Sequence, residues 1–301
     1  MLSKKDKLLT FFIFYQQKDY ICFMQFLKRL FNFYINSSLH VALAVYSLVR
    51  ITELYFDLPY YEALDAFIFF GTISGYNYIK YAGIAKWHHR SLTEGLKIIQ
   101  LFSGCCFLAM VYFASFLSVE ILVAFIPFLV LTLLYEIPFS RKSKINLRNV
   151  GALKIVLISL VWAGVTVLLP LMAAGNSFDA LVLLTFLQRF LWVLVLTIPF
   201  DIRDVQFDED HLKTIPQILG IKNTKKLGFV LLLVALVLEF SLWSGSIFKN
   251  IFLGVTFLLL FLLMRTKTTQ PKYYSSFWIE AVPIFWWLLL FWILKFQALY
   301  Y

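Results

Sequence analysis

Ile155-Val-Leu-Ile-Ser-Leu-Val-Trp-Ala-Gly-Val-Thr-Val-Leu-Leu-Pro-Leu-Met-Ala-Ala-Gly-Asn-Ser-Phe178 contains no charged residue. About 20 mostly apolar residues are enough for a helix to cross a bilayer, so this stretch reads as one complete span. Working outward from it, eight further segments have the same character: 36–56, 62–85, 96–115, 117–136, 179–200, 227–244, 248–264 and 277–296, with 150–171 as the span that holds the quoted run. The whole chain agrees. Of its 301 residues 61% are hydrophobic and 15% charged, with a mean hydropathy of +0.81. A soluble domain has about 45–50% apolar and about 25% charged residues, and the excess cannot be hidden behind a polar surface. The reading is an all-α, polytopic membrane bundle of nine transmembrane helices. It is one domain over 1–301, with 1–35 as an interfacial N-terminal segment and 36–296 as the bundle. A cytosolic enzyme, a disordered chain and a secreted disulfide scaffold are excluded.

The net charge of +10 would suggest nucleic acid in a soluble protein, but membrane proteins collect Lys and Arg in cytoplasmic loops for topological reasons. With the N-terminus inside, the inner segments 1–35, 86–95, 137–149, 201–226 and 265–276 hold 20 of the 27 Lys and Arg. The outer turns near Asp57-Leu58-Pro59, Leu117-Ser118 and Gly175-Asn176 hold none. This asymmetry predicts a plasma- or inner-membrane protein with a cytoplasmic N-terminus and an outer C-terminus, whose partner is membrane lipid and not nucleic acid. Cys22, Cys105 and Cys106 have no metal-site spacing.

Acids are concentrated in one place. Five of the 17 lie in Asp201-Ile-Arg-Asp204-Val-Gln-Phe-Asp208-Glu209-Asp210, and spacings of three and four put Asp201, Asp204 and Asp208 on one helical face at the end of the sixth span. Carboxylates so placed repel one another unless a cation lies between them. Mg²⁺ suits such a site, because it is typically held by one or two carboxylates together with substrate phosphates. The plain alternative is a solvated acidic loop balancing nearby lysines. Lys154 lies just inside the fifth span, after Arg141-Lys142-Ser-Lys144 and Arg148. Arg141, Lys142 and Lys144 read individually as membrane anchors. Lys154 is about a turn deeper and needs a partner. Of the other charges near or within the spans, Arg50 and Glu53 are spaced to pair, and Arg189 is either a cavity residue or one member of an inter-helix pair. His88-His89 reads as solvated.

Asp201-Ile-Arg-Asp204-Val-Gln-Phe-Asp208 followed by Lys213-Thr-Ile-Pro-Gln-Ile-Leu-Gly220 resembles the second aspartate-rich motif of the UbiA-type intramembrane prenyltransferases, Arg-Asp-x-x-x-Asp and then a Lys-Thr-hydrophobic-Pro stretch ending in Leu-Gly. Leu134 to Lys154 is similar to that family's basic inner loop and fifth helix, and nine helices with the N-terminus inside is its topology. The resemblance implies a helical bundle with a cavity open to lipid. It also implies transfer of an isoprenyl group from an isoprenyl diphosphate to a lipophilic, aromatic or quinone-precursor-type acceptor, with Mg²⁺ on the diphosphate. Carried onto this sequence, it makes Asp204 and Asp208 the metal ligands with Asp201 in support. Lys154, and more weakly Arg141 and Lys213, would neutralise phosphate. The family's first motif, Asn-Asp-x-x-Asp-x-x-x-Asp, falls on Asn77-Tyr78-Ile-Lys80-Tyr81-Ala-Gly-Ile-Ala85, where Asn77 matches and Tyr78, Tyr81 and Ala85 replace the aspartates. Asn77 is then the remnant of a diphosphate site, and Lys80 is a candidate fixed cation in place of one Mg²⁺. Two other classes compete with a transferase: a degenerate member that binds an isoprenoid lipid or a partner protein, and a small-solute transporter drawing on Arg50, Glu53 and Arg189. The catalytic reading requires the acids to share a hollow with the bound diphosphate.

Overall fold

The computed structural model describes residues 22–87, 94–136, 151–207, 212–242 and 245–300. Arg141, Asp208 and the His88-His89 pair lie outside these ranges. Within them the chain is helical without a strand: α1 (22–36), α2 (Leu39–Tyr55), α3 (Glu62–Trp87), α4 (Glu94–Ala114) and α5 (Val119–Glu136), then α6 (Leu153–Ala173), α7 (Ala180–Asp204), α8 (Ile215–Ser241), α9 (Ser246–Arg265) and α10 (Tyr274–Leu299). Helices α2 to α10 fall on the nine apolar segments of the sequence. Five of the described helices are long and apolar enough to cross a membrane by length and composition: α4 from Gly95, α6, α7, α9 and α10. Large side chains such as Leu101, Leu108, Val119 and Val237 point outward. A surface this apolar needs lipid around it, and a helix satisfies its own backbone there. The protein is an integral membrane protein.

Local sequence explains the ends and breaks of these helices. Asp179 ends the uncharged run and caps α7, its Oδ1 accepting the Val182 N–H at 2.9 Å. Pro170 has no N–H to give to the Thr166 carbonyl one turn back. The chain is wound there as a π-helix over Gly164–Leu168, and the Thr52 hydroxyl donates to the freed Thr166 oxygen at 2.7 Å. Gly164 allows α5 to come close, since a Cβ at that position would lie 2.0 Å from the Phe128 ring. In α8, Thr214 opens the helix, its N–H donating to Gln217 Oε1 at 2.9 Å, and Gly220 at φ 76° interrupts it.

Helix α2 packs on α3, α6 and α10; α7 packs on α6 and α8; α9 packs on α8 and α10, which closes a ring. The core inside this ring is filled by Leu48, Ile51, Trp192, Phe252 and Trp286, all buried, with the Trp192 and Trp286 rings 5.2 Å apart. Arg189 is part of this packing: its Nη1 donates to the Leu48 carbonyl at 2.8 Å and its guanidinium lies 5.2 Å from the Trp286 ring centroid. Glu239 accepts from Tyr55 Oη at 3.0 Å and Gln188 Nε2 at 2.9 Å. Arg50 pairs with Glu53 and reaches Asp65 at 3.5 Å. These intramembrane charges tie helices to one another.

Candidate functional site

Antiparallel packing of α6 on α7 brings the start of one beside the end of the other. Lys154 is in the first turn of α6, and Asp201 and Asp204 are in the last turn of α7. Both placements oppose the helix dipole, which disfavours a cation at an N-terminus and anions at a C-terminus. They are reconciled by pairing: Lys154 Nζ lies 3.3 Å from Asp201 Oδ1 and 3.3 Å from Asp204 Oδ2. Arg203 Nε donates to the other Asp204 oxygen, Oδ1, at 2.8 Å. Asp201 is 1% exposed, while the side chains of Lys154 and Asp204 are 15% and 23% exposed, so the pair runs from the buried interior to the surface. Gly151 holds the entry to α6 in place. Its φ of +33° and its approach to the Lys213 carbonyl, where a Cβ would lie 2.3 Å away, leave room for no side chain. Lys213 is therefore beside this end of the bundle through its backbone, and its side chain is exposed.

Helix α7 carries Asp201 and Asp204 and ends at Asp204; Val205 N–H bonds Asp201 O, and Phe207 N–H bonds Asp204 O at 2.8 Å in a tight turn. Asp208, expected on the same face, lies outside the described residues.

The positions of the degenerate first motif have a different use. Asn77 is 3% exposed; its Oδ1 accepts from Ser38 Oγ at 2.8 Å and its Nδ2 donates to the Ser37 carbonyl at 3.0 Å. Lys80 Nζ donates to the same Ser38 hydroxyl at 3.0 Å, and Tyr81 Oη donates to the Asn36 carbonyl at 2.9 Å. Three residues of α3 thus clasp the turn between α1 and α2, where Ser38 is held at φ 63°. Tyr78 is on the exposed side. Lys80 also acts electrostatically on Arg203 and Glu280, which links the clasp to the Lys154 cluster. Nearby, Lys225 Nζ caps α9 by donating to the Met264 and Thr266 carbonyls at 2.8 and 2.6 Å, and burial, then repulsion from Lys267, pushes its ammonium below the usual lysine range.

Two cavities stand out among the described residues. One of about 200 Å³ is lined by Glu53, Tyr60, Tyr61, Pro170 and Ala173, and one of about 400 Å³ by Asp179, Leu181, Leu184 and Ser241. Both are at the opposite end of the bundle, about 28 Å from Lys154 along α6 at 1.5 Å per residue. Among the described residues there is no group of three or more His, Cys, Asp or Glu placed to hold a metal ion, and both oxygens of Asp204 face cations; Asp208, the other expected ligand, lies outside these residues. Sequence reading singled out every member of this cluster except Arg203 and Glu280. Their signal was adjacency to Asp204 and an acid at the start of the last span.

Comparison with known proteins gives the fold a context. No protein-family model matches the chain, and no curated protein matches it in sequence. Among solved structures, a UbiA homologue from Archaeoglobus fulgidus bound to Cd²⁺ superposes with a TM-score of 0.57 at 12% identity, covering 85% of this chain and 99% of that one. A digeranylgeranylglyceryl phosphate synthase of membranes gives 0.53 at 14% identity over 87% and 97% of the two chains. A second A. fulgidus UbiA homologue structure gives 0.53 at 10% identity over 90% and 99%. The chain has the UbiA-type helical membrane fold.

Proposed function

We propose that the protein is a prenyltransferase-like membrane protein that captures an isoprenyl diphosphate at the Lys154 end of the bundle and passes the isoprenyl group to a lipophilic acceptor of the aromatic or quinone-precursor type. The observation that carries this reading is the convergence of Lys154, Arg203, Asp201 and Asp204 at one end of a UbiA-type fold. In this reading the chain is one nine-span domain, with that end and the N-terminus cytoplasmic and the C-terminus outside.

Transfer breaks the bond between the first isoprenyl carbon and the diphosphate oxygen, and a nucleophilic carbon or oxygen of the acceptor takes the allylic carbon and releases its proton. The departing pyrophosphate gains negative charge. Fixed cations near it stabilise that charge in a site largely shielded from water, where their effect is greatest. Lys154 and Arg203 are the cations available, with Lys80 further out. Asp201 and Asp204 orient them. Magnesium, expected from the resemblance with Asp204 and Asp208 as ligands, is assigned no step. Arg141 and Lys213 are secondary phosphate contacts.

A second reading, capture of an isoprenoid without transfer, is favoured by one observation: the first-motif positions Asn77, Lys80 and Tyr81 bind a turn of their own chain. One experiment separates the two. Purified protein is incubated with labelled farnesyl or geranylgeranyl diphosphate and membrane lipid extract. A labelled lipid product that falls at least about 100-fold in Arg203→Gln, the loss of one fixed cation beside the departing pyrophosphate, supports transfer. Binding with no product and no released pyrophosphate supports capture alone.

A further inference from the structure

We infer that Lys154 is a built-in counter-cation standing in the place of a divalent ion, so that the diphosphate site proposed above works without metal; the inference rests on that proposal. Lys154 Nζ bridges the two carboxylates, 3.3 Å from an oxygen of each, and Arg203 takes the remaining Asp204 oxygen. A magnesium ion bound by the same pair would need oxygens at about 2.0–2.1 Å in an octahedral shell that keeps several waters. Asp201, at 1% exposure, has no room for such a shell, and the ion would have to eject an ammonium tethered to the first turn of α6. The displaced ammonium would lose both carboxylates at a helix N-terminus, where the dipole already opposes it.

Charges across this end of the bundle point the same way. Among the described residues, Lys154 and Arg203 pair with Asp201 and Asp204, two charges of each sign, across α6 and α7. Acids of the first motif, which in the family pattern would require a second ion, are replaced by tyrosines, an alanine and the clasp. A site in this form is electrically balanced before ligand arrives. An incoming diphosphate competes with Asp201 and Asp204 for the same ammonium and guanidinium groups, which turn toward it as forks and point charges.

The test is equilibrium binding of a non-hydrolysable isoprenyl thiodiphosphate to the full-length protein in detergent, in EDTA and in millimolar Mg²⁺. Affinities within threefold of each other in the two buffers are expected. Lys154→Met should lose at least about 30-fold in EDTA, as removal of one buried charge contact does. The loss should persist in Mg²⁺, because methionine fills the space of the lysine stem and the buried Asp201 still has no room for a hydrated ion; rescue by Mg²⁺ would show a metal site and overturn the inference. If Lys154→Met does not fold, the charge-balanced Lys154→Met/Asp201→Asn variant is measured for the same loss in EDTA. Wild-type binding that requires Mg²⁺ overturns the inference and leaves the proposed function standing. An absence of binding in both buffers overturns the proposed function and the inference with it.

Discussion

The ends of α3 and α7 occupy the same end of the bundle and correspond to the two halves of one expected site, yet they have been put to opposite uses. At the end of α7 two carboxylates remain, and the fold brings a lysine from α6 to hold them. At the end of α3 the carboxylates are gone, and Asn77, Lys80 and Tyr81 grip the backbone and side chains of the α1–α2 turn. The first arrangement keeps charges that a ligand can redirect. The second satisfies neutral groups of the chain itself and leaves little for a ligand to take. The difference teaches that a helix end bearing amide, hydroxyl and ammonium groups serves as an anchor for its own chain, while one bearing paired carboxylates gathers cations.

The largest test of this contrast is Lys154→Met, which strands Asp201 in a buried position without its cation. Loss of about 3 kcal/mol is expected in thermal or denaturant unfolding in detergent, the usual cost of leaving a buried partner uncompensated. Adding Asp201→Asn should restore more than half of it in a double-mutant cycle; effects that simply add would mean the two residues do not form a unit. Next is Asn77→Ala, which takes the amide donor from the Ser37 carbonyl and the acceptor from the Ser38 hydroxyl proton. About 2 kcal/mol of stability should go, with diphosphate affinity unchanged within twofold in the folded fraction. If affinity collapses while the melting curve stays in place, the α3 end is a ligand site after all. Tyr81→Phe removes one hydrogen bond near the surface and should cost about 0.5–1 kcal/mol, read in the same melts. Smallest is Lys80→Met. Its exposed ammonium should contribute at most about 0.5 kcal/mol to stability, and because it bonds the Ser38 hydroxyl and neither Asp201 nor Asp204, the loss in diphosphate affinity should be at most about tenfold. A larger loss of binding would restore Lys80 as the replacement cation.

Parts of this were legible without coordinates because they depend on residues near one another in sequence. The uncharged run from Ile155 to Phe178 needed only its length. Arg50 and Glu53 needed only their spacing on one helix. The motif around Lys213 to Gly220 encodes its own start and stop, a Thr214 cap answered by Gln217 and a glycine that interrupts the helix. The shared face of Asp201 and Asp204 needed only their spacing of three on one helix. Nothing local announced that Thr52, more than a hundred residues away, would donate to the Thr166 carbonyl that Pro170 leaves free.

The amino-acid sequence alone determined that this chain lives in lipid as a set of helices and that its acids gather at the end of one of them. Hydropathy and helical periodicity are properties of single segments, and no partner is needed to express them. Only the tertiary structure decided that Lys154 would stand between Asp201 and Asp204, that Asn77 would bind Ser37 and Ser38, and that Arg189 would be packed against Trp286. Those outcomes depend on how each helix is rotated about its axis and how far it slides along its neighbours. A few tens of degrees or a few ångströms would separate every one of these pairs, and such rotations and offsets are fixed by packing of the whole ring of helices at once.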